Sequence, residues 1–249
     1  MIKFENTEVV GWEAAIRGMR NPMNSWNKSD SRWYSIGTPG TNPAATNDKY
    51  LKEKYCIGDN DLDLMKRLRN AGTDHRKFMR MIAVYVDITA PLYWWKEFDT
   101  YKIGTVANSC STMHKIQAKE FDRGDFSYDH IPLGIANYEN SLDCKKEKMF
   151  FPMNDDIYFS SEDVLDFTIR ALNHYRELYL ETKDKKYWWQ MIQLLPSSYN
   201  QKRTVMLNYE VLANIYKSRK NHKLDEWRAF CKWIESLPYF ELITGENKE

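Results

Sequence analysis

The hydrophobic pattern changes period along the chain, and this change constrains the fold more than any other feature. Met81–Ile88 (MIAVYVDI) is short and rich in β-branched and aromatic residues, which predicts a buried strand, and Thr204–Leu207 predicts another. Lys3–Val10 is a third candidate strand. Helical spacing of apolar residues occurs in Trp12–Met19, Leu62–Leu68, Val164–Leu178, Val211–Tyr216 and Leu224–Ile234. The mixture predicts an α+β fold with a central, mostly antiparallel sheet flanked by helices, formed by residues 1–249 as a single domain.

Capping residues and prolines predict where several helices begin and end. Ser160–Asp163 (SSED) is a capping signal for the helix that runs to about Thr182. Asn208 can cap the helix that follows the second strand, and Asn60 or Asp61 can cap the helix before Gly72. These boundaries predict ordinary globular helices.

The polar segment at about 21–59 contains no comparable periodicity. Gly37, Pro39, Gly40 and Pro43 lie close together in it. Because long irregular segments in compact domains are often functional, we interpret it as a long loop or insertion.

Charge and composition exclude several classes of function. A net charge of +1 gives no global field that would attract a nucleic-acid polymer or an anionic membrane, and no run approaches the length of a membrane span. The four cysteines form no C-x-x-C pair, and the N-terminus lacks the apolar core of a signal peptide, so we expect a cytoplasmic protein with reduced thiols. Aromatic residues make up 14% of the chain, which suits core packing, subunit interfaces or flat ligands.

The common catalytic and metal-binding motifs are missing. No glycine-rich dinucleotide loop, P-loop or H-E-x-x-H occurs, and the histidines are too scattered for a metal site, so we expect no metal. Asp59–Asp63 begins like a calcium loop but lacks the required glycine and the closing glutamate, which favours a helix N-terminus rich in acids. Cys110 could be a nucleophile, although a small buried thiol is the preferred interpretation.

Two clusters of polar residues remain. The segment Trp94–His114 is dense in hydrogen-bonding side chains around Gly104, a pattern that can hold a phosphate or a base edge. Asn208, Asn214 and Arg219 lie on or beside one predicted helix, where amides can contact a ring and a guanidinium can stabilise charge on a carbonyl. Capping by Asn208 and a solvent-facing Arg219 are the structural alternatives.

In these two clusters the sequence resembles the flavin-dependent thymidylate synthase family. That family has a strand, an Ala-Pro helix, a Q-x-x-R-H-R segment and a stretch ending in N-E-x-S-x-R-Y. Here Ala90-Pro91 follows the strand, and Glu97–Lys102 and Asn108–His114 stand at the two motif positions. The family's Leu-Pro followed by spaced N-x-R, Asn and Arg is matched by Leu195-Pro196 and the Asn208 cluster, with Glu210 in place of the middle arginine.

The resemblance implies FAD as cofactor, with NADPH and methylenetetrahydrofolate as co-substrates. It implies methyl transfer to C5 of dUMP or a related pyrimidine nucleotide, in a homotetramer whose sites are shared between subunits. A non-catalytic, nucleotide-binding or structural homologue of the same fold is the alternative. Arg219 would be the catalytic residue. The residues that would bind the substrate are Glu97, Ser109, Cys110, Ser111, Thr112 and Arg219. The residues that would bind the cofactor are His75, Thr100, Tyr101, Lys102, Asn108, Asn208 and Asn214.

Several positions depart from the family pattern. Thr100 and Tyr101 stand at two of its basic positions, Lys102 keeps only the charge of the third, and Met113 replaces its closing arginine. Bidentate donors to a phosphate are lost with these changes. Lys115, His114 or Arg203 could compensate.

Overall fold

The structure, a computed structural model, describes residues 2–36, 52–133, 150–152 and 158–245. Four residues of the predicted loop, Gly37, Pro39, Gly40 and Pro43, lie outside these ranges, as does Cys144. The chain folds into two compact units. Unit 1 comprises Met1–Lys3, Ile88–Thr100 and Asn108–Arg203. Unit 2 comprises Phe4–Asp87, Tyr101–Ala107 and Thr204–Glu249.

Strands form one four-stranded sheet and two short pairs. In chain order the strands are β1 (Lys3–Val10), β2 (Arg32–Ile36), β3 (Lys52–Cys56), β4 (Ala83–Pro91), β5 (Val106–Ser109), β6 (Phe150–Pro152), β7 (Tyr158–Ser160) and β8 (Asn200–Asn208). The larger sheet has the order β1-β4-β8-β5. The pairs β2-β3 and β6-β7 are antiparallel, with Arg32 opposite Cys56 and Phe150 opposite Ser160.

Helices lie between the strands along the chain and after β8. They are α1 (Trp12–Arg20), α2 (Asp59–Asn70), α3 (Leu92–Phe98), α4 (Thr112–Lys115), α5 (Ser161–Thr182), α6 (Lys185–Leu194), α7 (Tyr209–Arg219), α8 (Asp225–Glu235) and α9 (Glu241–Thr244). Short 3₁₀ turns cover Asn21–Met23, Trp26–Lys28, Arg76–Met81 and Arg123–Asp125. No helix among the described residues is both long and apolar enough to cross a membrane.

The core of unit 1 lies between α5, α6 and the segment that precedes them. It contains the buried side chains Ile116, Phe121, Phe126, Leu165, Leu172 and Met191. The predicted cap of α5 is confirmed, since Ser160 Oγ accepts from Asp163 N and the Asp163 carboxylate accepts from Ser160 N. This reciprocal box fixes where the longest helix begins.

The core of unit 2 is formed by one face of strand β4 and by helices α7 and α8. Val84 and Val86 are fully buried while Tyr85 between them is exposed, as the two-residue period of a strand requires. Helix α8 buries Trp227, Phe230 and Ile234 along one face. The predicted cap of α7 is confirmed because Asn208 Oδ1 accepts from Val211 N at 3.0 Å.

The structure differs from the prediction within residues 21–59. Strands β2 and β3 form a five-residue antiparallel ladder there, so those parts of the segment are not a loop. The prediction that Asn60 or Asp61 caps α2 is wrong. Gly58 occupies the cap position, and the carboxylate of Asp30 accepts from Asn60 N at 2.9 Å and Asp61 N at 3.1 Å. The cap therefore comes from a residue distant in sequence.

Candidate functional site

The residues predicted to form the site are distributed over both units, which we describe separately. Unit 1 contains Glu97, Thr100, Asn108, Ser109, Cys110, Ser111 and Thr112. Unit 2 contains His75, Tyr101, Lys102, Asn208, Asn214 and Arg219. Each set is held by a different kind of interaction.

In unit 2, Arg219 lies against two aromatic rings. Its Nε donates to the Tyr101 hydroxyl oxygen at 2.9 Å. Its guanidinium carbon lies 4.6 Å from the centre of the Trp227 ring and 5.7 Å from that of Tyr101. Trp227 is fully buried and Arg219 is half-buried. A planar guanidinium held against ring faces keeps its charge while losing rotational freedom, so Arg219 is oriented and does not simply face solvent.

The turn after Tyr101 lies against the beginning of α7. Gly104 has a φ of +78°, and a Cβ built there would come within 2.9 Å of both Asn208 Nδ2 and Val211 Cγ2. Thr105 Oγ1 donates to the Tyr101 carbonyl oxygen. The glycine is therefore required for close approach of the chain to Asn208, whereas the sequence had suggested access for a ligand. Asn208 caps α7 through its Oδ1 atom. Among the described residues its Nδ2 atom has no acceptor, so Nδ2 is available to donate to a ligand.

An ion network joins the 3₁₀ turn at Arg76–Met81 to helix α7. The buried carboxylate of Glu210 accepts from Arg76 Nε at 3.3 Å and from Arg80 Nε at 2.5 Å. Arg76 also donates to Asn214 Oδ1 at 3.3 Å. Position 210, where the resembling family has arginine, thus carries a carboxylate neutralised by two arginines that sequence reasoning missed. His75, an exposed predicted cofactor residue, lies directly before Arg76.

In unit 1, hydrogen bonds to strand β8 position the residues that follow β5. Cys110 N donates to the Lys202 carbonyl oxygen at 2.9 Å, and Gln201 Nε2 donates to the Cys110 carbonyl oxygen at 2.9 Å. Trp95 Nε1 donates in turn to the Gln201 carbonyl oxygen at 2.9 Å. Both Trp95 and Gln201 are buried. Helix α3 and β8 together therefore fix the backbone at Cys110, although neither Trp95 nor Gln201 was among the predicted site residues.

Arg203 in unit 1 is held by a ring face, a carboxylate and a side-chain amide. Its guanidinium carbon lies 4.1 Å from the centre of the Trp95 ring, and its Nη1 donates to Asp99 Oδ1 at 2.7 Å. Its Nε donates to Gln201 Oε1 at 3.0 Å. The sequence suggested Arg203 as a replacement for missing phosphate ligands. Its charge is already paired with a carboxylate, so an added phosphate would compete with Asp99.

The remaining residues of unit 1 make mainly local hydrogen bonds. Ser111 Oγ accepts from His114 N at 3.1 Å and caps the short helix α4, which begins at Thr112. Thr100 Oγ1 donates to the Glu97 carbonyl oxygen at 2.7 Å. Asn108 and Ser109 lie exposed at the end of β5.

The preferred interpretation of Cys110 as a buried thiol is wrong. Cys110 is exposed because its backbone, and not its side chain, is fixed against β8. Cys56, Cys110 and Cys231 are all free thiols. Among the described residues no group of three or more His, Cys, Asp and Glu side chains could hold a metal ion.

No protein-family model matches the sequence, and no curated protein matches it. Solved structures do match. One is the flavin-dependent thymidylate synthase ThyX from Helicobacter pylori in complex with FAD and dUMP, with a TM-score of 0.60 and 19% identity over 99% of each chain. A second structure of ThyX from Helicobacter pylori with FAD and dUMP has a TM-score of 0.59 and 19% identity, covering 98% of this chain and 97% of that one.

This chain has a fold similar to that of ThyX. The similarity, together with the helices and sheets described above, confirms the predicted α+β fold and its mostly antiparallel sheet. At 19% identity the comparison supports a diverged, ThyX-like fold and leaves the roles of individual residues as predictions.

Proposed function

We propose that the protein is a flavin-dependent enzyme that transfers a one-carbon group reductively to C5 of dUMP or a related pyrimidine nucleotide. The observation that carries the proposal is the position of Arg219, which is held between Tyr101 and Trp227 at the end of α7. The ThyX-like fold over the full chain supports it, because the matching structures contain FAD and dUMP.

Arg219 supplies the positive charge in this proposal. Negative charge develops on a uracil carbonyl oxygen when C5 acts as a nucleophile, and a fixed guanidinium stabilises that charge more effectively than a mobile one. The hydrogen bond to Tyr101 and the Trp227 ring restrict the guanidinium to one orientation. Arg219 would therefore bind and polarise the pyrimidine ring without any protein nucleophile.

The residues of unit 2 include donors that suit a flavin. A flavin ring presents carbonyl oxygens and ring nitrogens along one edge, and side-chain amides can match both donors and acceptors there. Asn208 and Asn214 use their Oδ1 atoms within the protein and keep Nδ2 as a donor among the described residues. His75, Tyr101 and Lys102 complete the set in unit 2, and Thr100 and Asn108 are assigned to the cofactor from unit 1. When bound, FAD would supply the hydride that reduces the transferred carbon.

The residues after β5 are assigned to the nucleotide. The Ser109 hydroxyl is exposed, and the backbone from Cys110 to Thr112 is anchored at Cys110 by two hydrogen bonds. Such an anchored stretch can present hydroxyl and N–H groups to a phosphate. Glu97, half-buried on α3, is assigned to the same substrate.

Further components follow from the family resemblance. Methylenetetrahydrofolate would donate the carbon and NADPH would reduce the flavin. A homotetramer with sites shared between subunits, located in the cytoplasm, is the expected assembly. Nucleic-acid polymers and membranes are not expected partners.

A non-catalytic homologue that binds a nucleotide is the second candidate. The hydroxyl of Thr100 is bonded to the Glu97 carbonyl oxygen, and Arg203 is paired with Asp99. Both observations favour reduced phosphate affinity relative to a site with free arginines.

The two candidates differ in flavin content and turnover. The enzyme purifies yellow or takes up added FAD, and NADPH bleaches its flavin absorbance. A colourless protein that binds no added FAD would exclude the enzymatic proposal.

Replacing Arg219 tests the assigned catalytic residue. Arg219→Ala should lower dUMP-dependent turnover by about 10²- to 10³-fold, the usual loss for one transition-state donor, while flavin content stays unchanged. Arg228→Ala is the matched control, because Arg228 is an exposed arginine of the same unit paired with Asp225. Turnover retained in Arg219→Ala, or lost equally in both variants, would remove Arg219 from its role.

A further inference from the structure

A small cavity in unit 2 is lined by four cationic side chains. Arg69, Arg76, Lys217 and Lys220 surround a volume of about 200 Å³ beside α7 and α9. Among the residues that the structure describes, no carboxylate lines this cavity. Positive charges brought this close repel one another unless an anion is present. The cavity therefore has the composition of an anion site.

Arg69 is held in place by neutral acceptors. Its Nε donates to the Leu242 carbonyl oxygen at 3.3 Å, and its Nη2 donates to the Ile243 carbonyl oxygen at 3.1 Å. Its Nη1 donates to Asn70 Oδ1 at 2.9 Å. Burial and then the charge of Arg76 lower the pKa of Arg69. These contacts fix the guanidinium without neutralising it.

The described residues do not fully compensate the charges of Arg76 and Lys217 either. Arg76 shares the single carboxylate of Glu210 with Arg80, which makes the shorter contact. Lys220 Nζ lies 5.8 Å from the centre of the Tyr216 ring. Lys217 is exposed, and the described residues offer it no partner. An anion in the cavity would thus meet an oriented arginine and a lysine whose charge is uncompensated.

We propose that this cavity binds a phosphoryl group, either as free phosphate or as part of a larger phosphorylated molecule. Guanidinium groups bind tetrahedral oxyanions through paired N–H donors, and lysines add charge without fixed geometry. A volume of about 200 Å³ is smaller than a typical drug-sized ligand pocket and suits one phosphoryl group better than a whole nucleotide.

The cavity does not include Arg219, the residue assigned to catalysis, although it shares Asn214 with the residues assigned to the cofactor. Neither Arg219 nor the two rings that it contacts line it. None of the four cations belongs to the proposed substrate or cofactor residues. Phosphate binding can therefore be measured independently of turnover.

Isothermal titration of the full chain with inorganic phosphate, at constant ionic strength, tests the proposal. The expected result is saturable binding that becomes about tenfold weaker in Lys217→Gln, as for loss of one charge-assisted contact. Lys232→Gln is the control, because Lys232 is an exposed lysine on α8 that does not line the cavity. Its affinity should equal that of the natural chain.

Competition with ADP identifies the source of the phosphoryl group. Displacement of phosphate by ADP, with the same dependence on Lys217, assigns the site to a phosphorylated molecule. Binding of phosphate without ADP competition assigns it to the free ion. Either outcome supports the proposal.

Two results would overturn it. The first is absence of saturable phosphate binding, or equal weakening in the Lys217 and Lys232 variants, which would indicate non-specific attraction. The second involves Glu246 and Glu249, which follow Gly245 in the sequence. Binding that occurs only in a Glu246→Gln/Glu249→Gln variant would assign the cations to the chain's own carboxylates.

Discussion

Arg20 and Arg219, both in unit 2, have opposite surroundings. Arg20 is buried on α1, and its Nε donates to Asp61 Oδ1 at 2.6 Å. Its remaining nitrogens donate to the carbonyl oxygens of Ser25 at 3.2 Å and Lys28 at 3.1 Å. Arg219 is half-buried, and its contacts include a tyrosine hydroxyl and two ring faces.

The difference separates a structural arginine from one suited to binding. All three guanidinium nitrogens of Arg20 donate hydrogen bonds that join α1 to the following turns and to α2. Arg219 is half-buried, and the ring faces and a hydroxyl against which it lies orient the guanidinium while part of it stays exposed. Replacements around Arg20 should therefore change folding stability, and replacements around Arg219 should change ligand binding.

The largest expected effect is the loss of stability when Arg20 loses its partner Asp61. Asp61→Ala should lower the free energy of unfolding by about 3–5 kcal/mol, because it leaves the Arg20 charge buried without its partner. It also removes the acceptor for Ser29 Oγ and Ser31 Oγ, each at 2.6 Å. Urea denaturation monitored by tryptophan fluorescence measures the change.

Asp63→Ala on the same helix is the matched control. Asp63 pairs with Arg67 at 2.9 Å in an exposed i,i+4 contact, so its loss should cost no more than about 0.5 kcal/mol. Equal destabilisation by the two replacements would show that the Arg20 pair contributes nothing beyond a surface pair.

The pH dependence of stability tests the same contribution of the Arg20–Asp61 pair. Burial alone would raise the pKa of Asp61, but hydrogen bonds from Ser29 and Ser31 and the Arg20 guanidinium outweigh it, so the pKa lies below its ordinary value. Since the folded-state pKa is depressed, the stabilisation is complete above the unfolded pKa of about 3.9 and is lost as pH falls below it.

Unfolding free energies of the natural chain and Asp61→Ala should therefore differ by a constant amount at pH values of about 7 and 5, and by less at about 3. Denaturation of both proteins at these three values provides the measurement. A difference that grows on acidification would contradict the depressed pKa.

Local signals made much of the fold predictable. Ser160 and Asn208 cap their helices through residues three positions ahead, a relation visible in the sequence. The cap of α2 was missed because Asp30 reaches it from about thirty residues away. The ladder β2-β3 was missed because residues 37–51 separate its strands, so no short turn signal joins them.

The contacts of the candidate site were predictable only in part for the same reason. Asn208, Asn214 and Arg219 could be selected from their spacing on one helix. Trp227 could not, because a buried tryptophan on an amphipathic helix is indistinguishable from core in sequence. The contact between Arg76 and Glu210 spans 134 positions and has no local signature.

The smallest expected effect is a loss of dUMP affinity when Arg219 loses its hydrogen bond to Tyr101. Tyr101→Phe keeps the ring beside Arg219 but removes the hydroxyl that accepts from its Nε. A hydrogen bond of this kind contributes about 1 kcal/mol, so we expect dUMP affinity to fall by about fivefold while the free energy of unfolding changes by less than about 1 kcal/mol. Calorimetric titration with dUMP and urea denaturation measure the two quantities.

Tyr85→Phe is the control, since Tyr85 is an exposed tyrosine on β4 of the same unit and far from Arg219 in sequence. Its dUMP affinity should match that of the natural chain. If Tyr101→Phe lost stability and kept its affinity for dUMP, Arg219 would be a structural arginine like Arg20, because the hydroxyl would then stabilise the fold and not orient a binding group.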